Sequence, residues 1–396
     1  MTEYPPSVRG AKRMDAIPFS DIRRVLERAT QLEKAGRKIL HFEIGRPDFD
    51  TPAPIKEAAI DALRAGQVHY SSNYGIPQLR AAIAEKMERD SGLTYRPEDE
   101  IIVTVGANEA VGAAFLALLD PGDEVLVPDP AWLHYRWCAQ LCGAKVVPVP
   151  CYAENDFVPD VATVASLITP KTRMLVVNTP NNPTGAVYPR ALLEELAKLA
   201  QQHDLLVMSD EIYERMVYGG ATHTSLASLP GMWERTLTVN GLSKAYSMTG
   251  WRLGFVAAPK PLSDLLVKVH QYTVSGATTF AQFGAVQAYA GDQGVVDDMV
   301  ASFDRRRRIL VDGLRGIKGV DCPEPRGAFY AFPSIKGTGK TSAELCELLL
   351  EEAGIAVVPG NAFGDAGDGH IRFSYAASDD DLREGVSRMA DVLGTA

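Results

Sequence analysis

Residues 235–258 read RTLTVNGLSKAYSMTGWRLGFVAA, and this stretch joins two short apolar runs through a loop of small and polar residues. The two ends, RTLTVN and LGFVAA, carry β-branched residues and border on turn or polar residues, which is typical of β-strands. Lys244 lies in the loop with small residues on both sides. The pattern therefore predicts two strands with a lysine between them.

Five further apolar runs precede this stretch, and helical patterns alternate with them. The runs are IIVTV (101–105), EVLVP (124–128), AKVVPV (144–149), RMLVVN (173–178) and LLVMSD (205–210). A helix predicted from Glu109 to Leu119 ends at a Pro-Gly turn, and another is predicted over 190–202. Strands that alternate with helices predict an α/β fold, in which a mostly parallel seven-stranded sheet lies between helices.

The two ends of the chain have a different pattern. We predict an amphipathic helix over 20–36 and a long helix over 293–316, whose basic run Arg305 to Arg308 we interpret as a solvated face. Short strands and helices follow at 328–332, 341–353, 355–358, 370–374 and 378–393. We therefore predict a large domain over 51–290, and a smaller α+β domain formed by an N-terminal arm, 1–50, and the C-terminal part, 291–396.

Composition excludes several classes of protein. The formal net charge of −10 argues against a nucleic-acid binder, because a phosphate backbone requires a basic surface. No apolar run approaches 18 residues, so no membrane span is expected, and MTEYPPSVRG has no signal-peptide core. A cytoplasmic location is the default expectation. The five cysteines are scattered; Cys138 and Cys142 are interpreted as packing residues, and no metal site is predicted.

Lys244 is a candidate for covalent chemistry. An amine forms a Schiff base with an aldehyde only after losing a proton, and the unperturbed lysine pKa is about 10.4, so burial or nearby cations must assist. Arg252 could supply such a charge, or could grip a phosphate through its planar fork of donors. Taken alone, however, a lysine in such a loop is most often a surface residue.

Three other stretches accompany this lysine. IIVTVGANEA (101–110) places Gly106 at a strand-to-helix turn, where free N–H groups can hold an anion, although a plain turn has the same pattern. NTPNNPTG (178–185) holds Asn182 before a proline, as a ring-oxygen donor or as part of a tight turn. VMSDEIY (207–213) ends a strand at Asp210, three residues before Tyr213; the carboxylate could face a ligand crevice or cap the next helix.

With these stretches in view, the chain resembles the class I/II aminotransferases, the aspartate-aminotransferase-like enzymes of fold type I that use pyridoxal 5′-phosphate (PLP). The similarity covers the chain from about residue 20 to its end. Its strongest parts are PNNPTG (180–185), SDEIY (209–213), SKAYSMTGWRLG (243–254) and GHIRFSYA (369–376). Several motifs that match in order are far more specific than any one of them.

The resemblance implies a role for each site residue. Lys244 corresponds to the Schiff-base lysine that also moves the α-carbon proton, and Asp210 to the partner of the pyridine nitrogen. Asn182 and Tyr213 correspond to donors to the ring oxygen, and Trp132 to the aromatic residue that stacks on the ring, although Trp132 could also be a core residue. The implied phosphate cradle comprises Gly106, Ala107, Asn108, Ser243 and Arg252.

Substrate contacts and subunit sharing are implied in the same way. Arg372 corresponds to the clamp for the substrate α-carboxylate, and Gly45 to a backbone border of the substrate site, which Trp132 and Asn182 also line. Tyr70 corresponds to a tyrosine that reaches the phosphate of a neighbouring subunit, which implies a homodimer with shared sites.

The chain departs from the family pattern at two positions. A serine is often found where this chain has Gly241, so one phosphate hydroxyl is missing, and Ser243 or backbone amides could compensate. Glu or Gln usually follows the glycine at position 45, but this chain has Arg46. A second cation there could favour acidic substrates; alternatively, Arg46 points to solvent or joins an ion pair.

The resemblance implies a ping-pong transaminase that acts on small amino-acid and 2-oxo-acid substrates. Glutamate and 2-oxoglutarate are expected as one pair, and aspartate, alanine or an aromatic amino acid as the other donor. Two alternatives stay open. One is a PLP enzyme of another reaction type, a C–S β-lyase or a cyclising enzyme, and the other is a non-catalytic PLP-binding domain of a regulator, for which no DNA-binding module is evident.

Overall fold

The computed structural model describes residues 10–395. Residues 1–9, at the beginning of the predicted N-terminal arm, and residue 396 lie outside the described residues. The helices of the described chain are α1 (Asp21–Lys34), α2 (Ala53–Arg64), α3 (Pro77–Ser91), α4 (Gly106–Leu118), α5 (His134–Leu141), α6 (Val161–Leu167), α7 (Arg190–Gln202), α8 (Lys260–Thr273), α9 (Thr279–Ala290), α10 (Gly294–Arg315), α11 (Ser342–Leu348) and α12 (Asp379–Leu393).

The strands of the described chain form three sheets. They are β1 (Leu40–His41), β2 (Ile101–Thr104), β3 (Glu124–Asp129), β4 (Lys145–Pro150), β5 (Thr172–Asn178), β6 (Leu206–Asp210), β7 (Thr236–Gly241), β8 (Gly254–Ala257), β9 (Tyr330–Ala331), β10 (Ile355–Ala356), β11 (Val358–Pro359) and β12 (Ile371–Ser374). The largest sheet has seven strands in the order β2-β8-β7-β6-β5-β3-β4. Only β8 runs against its neighbours β2 and β7, so the predicted mostly parallel sheet is confirmed.

Successive residues of the central strands are buried on opposite faces of this sheet. Val125 and Val127 of β3 pack with residues of α4, α5 and α8, whereas Leu126 packs with residues of α6 and α7. Burial on both faces explains why these strands are continuous apolar runs rather than alternating ones. The seven predicted strands and the helix over 190–202 all appear, with ends that shift by one or two residues.

The N-terminal part of the chain joins the C-terminal part, as predicted. Strand β1 pairs in parallel with β10, Leu40 opposite Ile355, while β11, β12 and β9 form a small antiparallel sheet. Helices α10 and α12 pack beside these strands. The domain boundaries at residues 50 and 290 stay a prediction.

Two expectations about the C-terminal part are wrong in detail. The helix predicted over 341–353 is α-helical only as far as Leu348, and Leu349–Ala353 forms a π-helical turn. The run Arg305 to Arg308 is not a solvated face throughout, because Arg306 and Arg307 are buried at 7% and 2% exposure. Arg306 pairs with Asp48, so the helical period turns two of the four guanidinium groups inward, where carboxylates meet them.

Cys138 and Cys142, predicted to be packing residues, are free thiols and each is partly buried. Cys138 lies within α5, and Cys142 caps its C-terminal end. Among the described residues, no helix combines the length and the apolar character needed to cross a membrane.

Candidate active site

The loop between β7 and β8 brings Lys244 into a largely enclosed position. Its Nζ donates a hydrogen bond to the Gly45 carbonyl oxygen at 2.6 Å and lies 5.8 Å from the centre of the Tyr213 ring. Burial, together with the charges of Arg372 and Arg252, lowers the pKa of the Lys244 amine to about 8, although the charge of Asp210 opposes the fall. The amine is therefore neutral in a useful fraction of molecules near pH 8, as a nucleophile or base requires.

Asp210 ends β6 at the carboxyl edge of the sheet, where ligands bind in open α/β folds. Its carboxylate is buried, accepts a hydrogen bond from Tyr135 Oη at 2.5 Å, and accepts another from the Ile212 N–H at 3.1 Å. Burial raises the pKa of Asp210 to about 6, although these two donors and the charge of Lys244 oppose the rise. A cation placed against this carboxylate would restore its ionised form.

Arg372, on β12, is the largest fully buried side chain among the described residues. Nη1 donates to Asn182 Oδ1 at 3.0 Å, Nη2 donates to the Glu43 carbonyl, and buried Nε has no hydrogen-bond partner among the described residues. The guanidinium lies over the ring of Tyr330 at 4.6 Å. A buried guanidinium with a free donor needs an acceptor, and an anionic ligand can supply it.

Asn182 is thereby oriented by its neighbour. Because its Oδ1 accepts from Arg372, the amide nitrogen is turned the other way and is free to donate. Tyr213 is also buried and shares a hydrogen bond with Tyr330, with 2.8 Å between the two hydroxyl oxygens. The two predicted ring-oxygen donors are therefore both connected to Arg372. Asn182 is hydrogen-bonded to its guanidinium, and Tyr213 is hydrogen-bonded to Tyr330, whose ring lies under that guanidinium.

The first turn of α4 presents backbone N–H donors that no side chain caps. Its N-cap residue, Val105, has no side-chain oxygen to cap the helix, so the N–H groups of Ala107 and Asn108 are available to an anion. Gly106 has φ +73°, and a Cβ there would lie 2.5 Å from Arg252 Nη2. The glycine therefore allows the arginine to approach this helix end.

Neighbouring residues hold that turn in place. The Glu109 carboxylate accepts from the Val105 N–H at 3.1 Å, and buried His270 holds the same carboxylate through Nδ1 at 3.1 Å. Ser243 is buried two residues after the end of β7, in the loop that carries Lys244. Of the predicted phosphate-cradle residues, Gly106, Ala107 and Asn108 thus share the first turn of α4 with Arg252 close to it, and Ser243 lies in the loop that follows β7.

The missing serine at position 241 has a steric explanation. A Cβ at Gly241 would lie 2.9 Å from both Gly254 Cα and the Leu253 carbonyl oxygen, so the close pairing of β7 with β8 leaves no room for a side chain. A hydroxyl cannot be added at position 241 without moving one of these strands.

Three predicted residues lie apart from this cluster or at its margin. Trp132 is partly buried and lines a cavity with Ala131, Arg136 and Phe363, whose ring lies 4.8 Å from the Arg372 guanidinium. Tyr70 is 96% exposed and makes no contribution to the cluster within one chain. Arg46 is exposed beside Gly45 and forms no ion pair among the described residues, so whether it faces the substrate or only solvent stays a prediction.

Two tyrosines that complete the site were not predicted from the sequence. Tyr135 donates to Asp210, and Tyr330 contacts both Tyr213 and Arg372. Tyr135 lies three residues after Trp132 in AWLHY, and Tyr330 lies in the apolar run AFYAF, so both have the pattern of core residues. Only their buried hydroxyls, which need partners, distinguish them.

Comparisons with known proteins agree with this geometry. The family model "Aminotransferase class I and II" matches residues 37–389. The chain is 46% identical over 384 residues to the aspartate aminotransferase of Pyrococcus abyssi, covering 96% of this chain and 97% of the relative. It is 44% identical to aromatic-amino-acid aminotransferase 2 of Thermococcus litoralis, with 96% and 97% covered. The solved aspartate aminotransferase from Thermus thermophilus with maleate superposes with a TM-score of 0.92 at 42% identity, over 98% of this chain and 100% of that one.

Proposed function

Because the chain belongs to the aminotransferase class I and II family, we propose how its residues divide the work of transamination. The enzyme is a PLP-dependent transaminase, and the observation that carries our assignment is the enclosure of Lys244 beside the buried Asp210. Bound PLP supplies an aldehyde that captures amino groups and a ring that accepts electrons from the α-carbon.

The residues present fit this cofactor at both ends. The buried Asp210 carboxylate, whose pKa is raised to about 6 by burial, suits a protonated pyridine nitrogen, since a cation there relieves an unfavourable buried charge. At the opposite end, the uncapped turn of α4 and Arg252 suit a phosphate. Gly106, Ala107, Asn108, Ser243 and Arg252 would hold that phosphate.

Lys244 would hold the cofactor and then act as the proton carrier. With its pKa lowered to about 8 by burial, the amine can take a proton from the substrate α-carbon and return it to another atom. The Gly45 carbonyl, 2.6 Å away, marks where the amine rests when it is free. Asn182 and Tyr213 would donate to the ring oxygen, and Trp132 would cover the face of the ring.

Arg372 would bind the substrate α-carboxylate. The unpartnered Nε and the planar fork suit a two-pronged pair with a carboxylate, and Asn182 and the Glu43 carbonyl hold the fork in orientation. Gly45 borders the same space with its backbone, where a larger residue is excluded, because a Cβ there would overlap the Tyr330 hydroxyl at 1.9 Å. The clamp is therefore preorganised before substrate arrives.

We propose aspartate as the first amino donor to test and 2-oxoglutarate as the acceptor. The relatives named above are called aspartate and aromatic-amino-acid aminotransferases, so an aromatic donor is the second choice and alanine the third. The similarity does not favour a C–S β-lyase, a cyclising enzyme or a non-catalytic regulator domain.

We also propose a homodimer in which Tyr70 completes the phosphate site of the other subunit. Tyr70 and Val68 are large apolar side chains with 96% and 58% exposure, and they lie on a segment that borders a cavity against the start of α9. Covering such side chains by a second copy would remove apolar surface from water. Tyr70→Phe should then weaken PLP retention, and unchanged retention would argue against shared sites. A cytoplasmic location completes the proposal.

The central test compares Lys244→Ala with Lys318→Ala, a change at an exposed lysine that follows the end of α10. We expect Lys244→Ala to lose both the visible absorbance of lysine-bound PLP and aspartate transamination, while Lys318→Ala keeps both. In a single turnover without acceptor, the wild-type enzyme should release oxaloacetate and no free ammonia. Release of ammonia, pyruvate and a thiol from an S-substituted cysteine such as cystathionine, with no oxaloacetate from aspartate, would indicate a C–S β-lyase instead, and a retained absorbance band in Lys244→Ala would assign the cofactor to another lysine.

A further inference from the structure

Tyr330 connects two parts of the site that come from different regions of the chain. It lies on β9, opposite Ser374 of β12, and is 1% exposed. Its hydroxyl is 2.8 Å from that of Tyr213, which follows β6 of the large sheet, and its ring lies under Arg372. We propose that Tyr330 is a positioning residue, which holds the Tyr213 hydroxyl and the Arg372 guanidinium in one fixed arrangement. This inference rests on the proposed function.

The hydroxyl pair has a defined direction once a ligand is bound. Each tyrosine hydroxyl has one hydrogen to donate, and Tyr213 is assigned to donate its own to the cofactor's ring oxygen. Tyr213 must then accept from Tyr330, so the donors run from Tyr330 to Tyr213 to the ligand. Hydrogen bonds in such a chain strengthen one another, by roughly 10–30% per bond. Tyr330 would therefore make Tyr213 a better donor.

The ring of Tyr330 acts on Arg372 separately. The guanidinium carbon lies 4.6 Å from the ring centre, within the range of a cation–π contact. Phe363 contacts the same guanidinium at 4.8 Å, so aromatic rings restrict its plane from two positions. Because the hydroxyl serves Tyr213 and the ring serves Arg372, the two effects can be removed one at a time.

Several charged and titratable groups face the hydroxyl pair of Tyr213 and Tyr330. The pKa of the Tyr213 hydroxyl is influenced by Tyr330, Arg372 and Asp210. The pKa of the Tyr330 hydroxyl is influenced by Arg372 and Tyr213. Lys244 Nζ lies 5.8 Å from the Tyr213 ring centre. Tyr330→Phe leaves all of these charges in place, so a spectral change in that variant reports the lost hydroxyl.

The experiment follows the visible absorbance of the bound cofactor against pH, together with the dissociation constant of maleate, a dicarboxylate probe. In Tyr330→Phe we expect the spectral midpoint to rise by about 0.3–1 unit, which corresponds to one hydrogen bond, with maleate binding within about twofold of wild type. Tyr330→Leu should also weaken maleate binding by about 2–30-fold, because the ring under the guanidinium is gone.

Tyr375→Phe is the matched control, since Tyr375 is another buried tyrosine, and its hydroxyl donates to the backbone carbonyl of Ala328 at 3.2 Å. It should shift neither measurement. The inference is overturned if Tyr330→Phe titrates like wild type or like Tyr375→Phe. If the wild-type enzyme itself shows no pH-dependent band that depends on Lys244, the proposed function fails first, so the two failures are distinguishable.

Discussion

Asp210 and Glu211 are adjacent carboxylates at the end of β6, both buried, and they lie in opposite electrostatic surroundings. The Asp210 carboxylate belongs to the site: burial raises its pKa to about 6, and no cationic side chain forms an ion pair with it among the described residues. For Glu211, burial alone would raise the pKa, but the charge of His223 and hydrogen bonds from His223, Ser209 and Ser225 outweigh it, and the pKa is lowered.

The surroundings of Glu211 are complete without a ligand. His223 Nε2 lies 3.1 Å from one oxygen, and the hydroxyls of Ser209 and Ser225 donate to the other at 2.8 and 2.9 Å. Close by, the Lys86 ammonium pairs with Glu214 and Asp90 at 2.5 and 3.2 Å. Every buried charge in this group has a partner of opposite sign, which is the arrangement that stabilises a fold.

The difference shows how one strand end can serve two purposes. A carboxylate whose partner is a side chain contributes to stability, whereas one whose partner arrives with a ligand makes the empty protein less stable and the loaded protein functional. Sites that bind or catalyse commonly carry such a cost in stability. Exchanging each carboxylate for its amide should therefore give opposite results.

The largest effect is expected from Asp210→Asn. The amide cannot supply negative charge to the cofactor ring, so we expect kcat/KM to fall by about 10²–10³-fold, as for loss of other preorganised electrostatic partners. The PLP-free variant should be more stable than wild type by on the order of 1–3 kcal/mol at pH 8, because an unfavourable buried charge is gone. Steady-state kinetics and urea unfolding measure the two changes. If PLP-free Asp210→Asn were less stable than PLP-free wild type, Asp210 would not differ from Glu211 in the way described.

The next effect is expected from Glu211→Gln, and it concerns stability. Breaking a buried ion pair by removing one partner costs up to about 3–5 kcal/mol, so urea unfolding should shift to lower concentration. Because Glu211 faces away from the site, kcat with saturating PLP should change by less than about threefold. An activity loss as large as that of Asp210→Asn, with unchanged stability, would place Glu211 in the site instead.

The pH dependence of this stability difference has a defined sign. The lowered pKa of Glu211 means that its contribution is present above its ordinary pKa of 4.5 and is lost as the pH falls through the folded value. For His223, burial would lower the pKa, but Glu211 outweighs it and the pKa is raised, so its contribution is present below 6.5 and is lost as the pH rises through the folded value. The gap between wild type and Glu211→Gln should therefore be widest between about pH 4.5 and 6.5. A gap that widens steadily above pH 8 would show that the pair is not ionic.

The sheet could be predicted because its signal is local. Runs such as RMLVVN and LLVMSD are apolar on every residue, since both faces of the sheet are covered, and their ends in Asn178 and Asp210 mark the ligand edge. The short strands of the C-terminal part gave weaker signals: β9 has only two residues where five were predicted. There the pairing depends on contacts with β12 that no local pattern records.

The site residues also divide into those that a local sequence pattern marks and those that depend on contacts distant in sequence. Lys244 and Asn182 stand in loops with unusual composition, and Asp210 is the polar end of an apolar strand, so local patterns distinguish all three. Tyr135 and Tyr330 stand in ordinary apolar settings, and their importance comes from partners about 75 and 117 residues away in sequence. The burial of Arg306 was missed for the same reason, because its partner Asp48 lies 258 residues away.

The smallest effect is expected at Arg46. Its charge is exposed to solvent, whereas the charge of Asp210 is enclosed by the site. Arg46 follows Gly45, whose carbonyl lies 2.6 Å from Lys244 Nζ, so it stands at the margin of the substrate space, but it is exposed and screened by water. An exposed charge pair contributes about 0.2–1 kcal/mol, so Arg46→Gln should lower kcat/KM for aspartate by at most about fivefold and leave an aromatic donor unchanged. Added salt should reproduce the loss in wild type, since screening weakens an exposed pair and leaves a buried one intact. Equal changes for both donors, or none for either, would mean that Arg46 only faces solvent, and the acidic side chain would then need a binding group elsewhere.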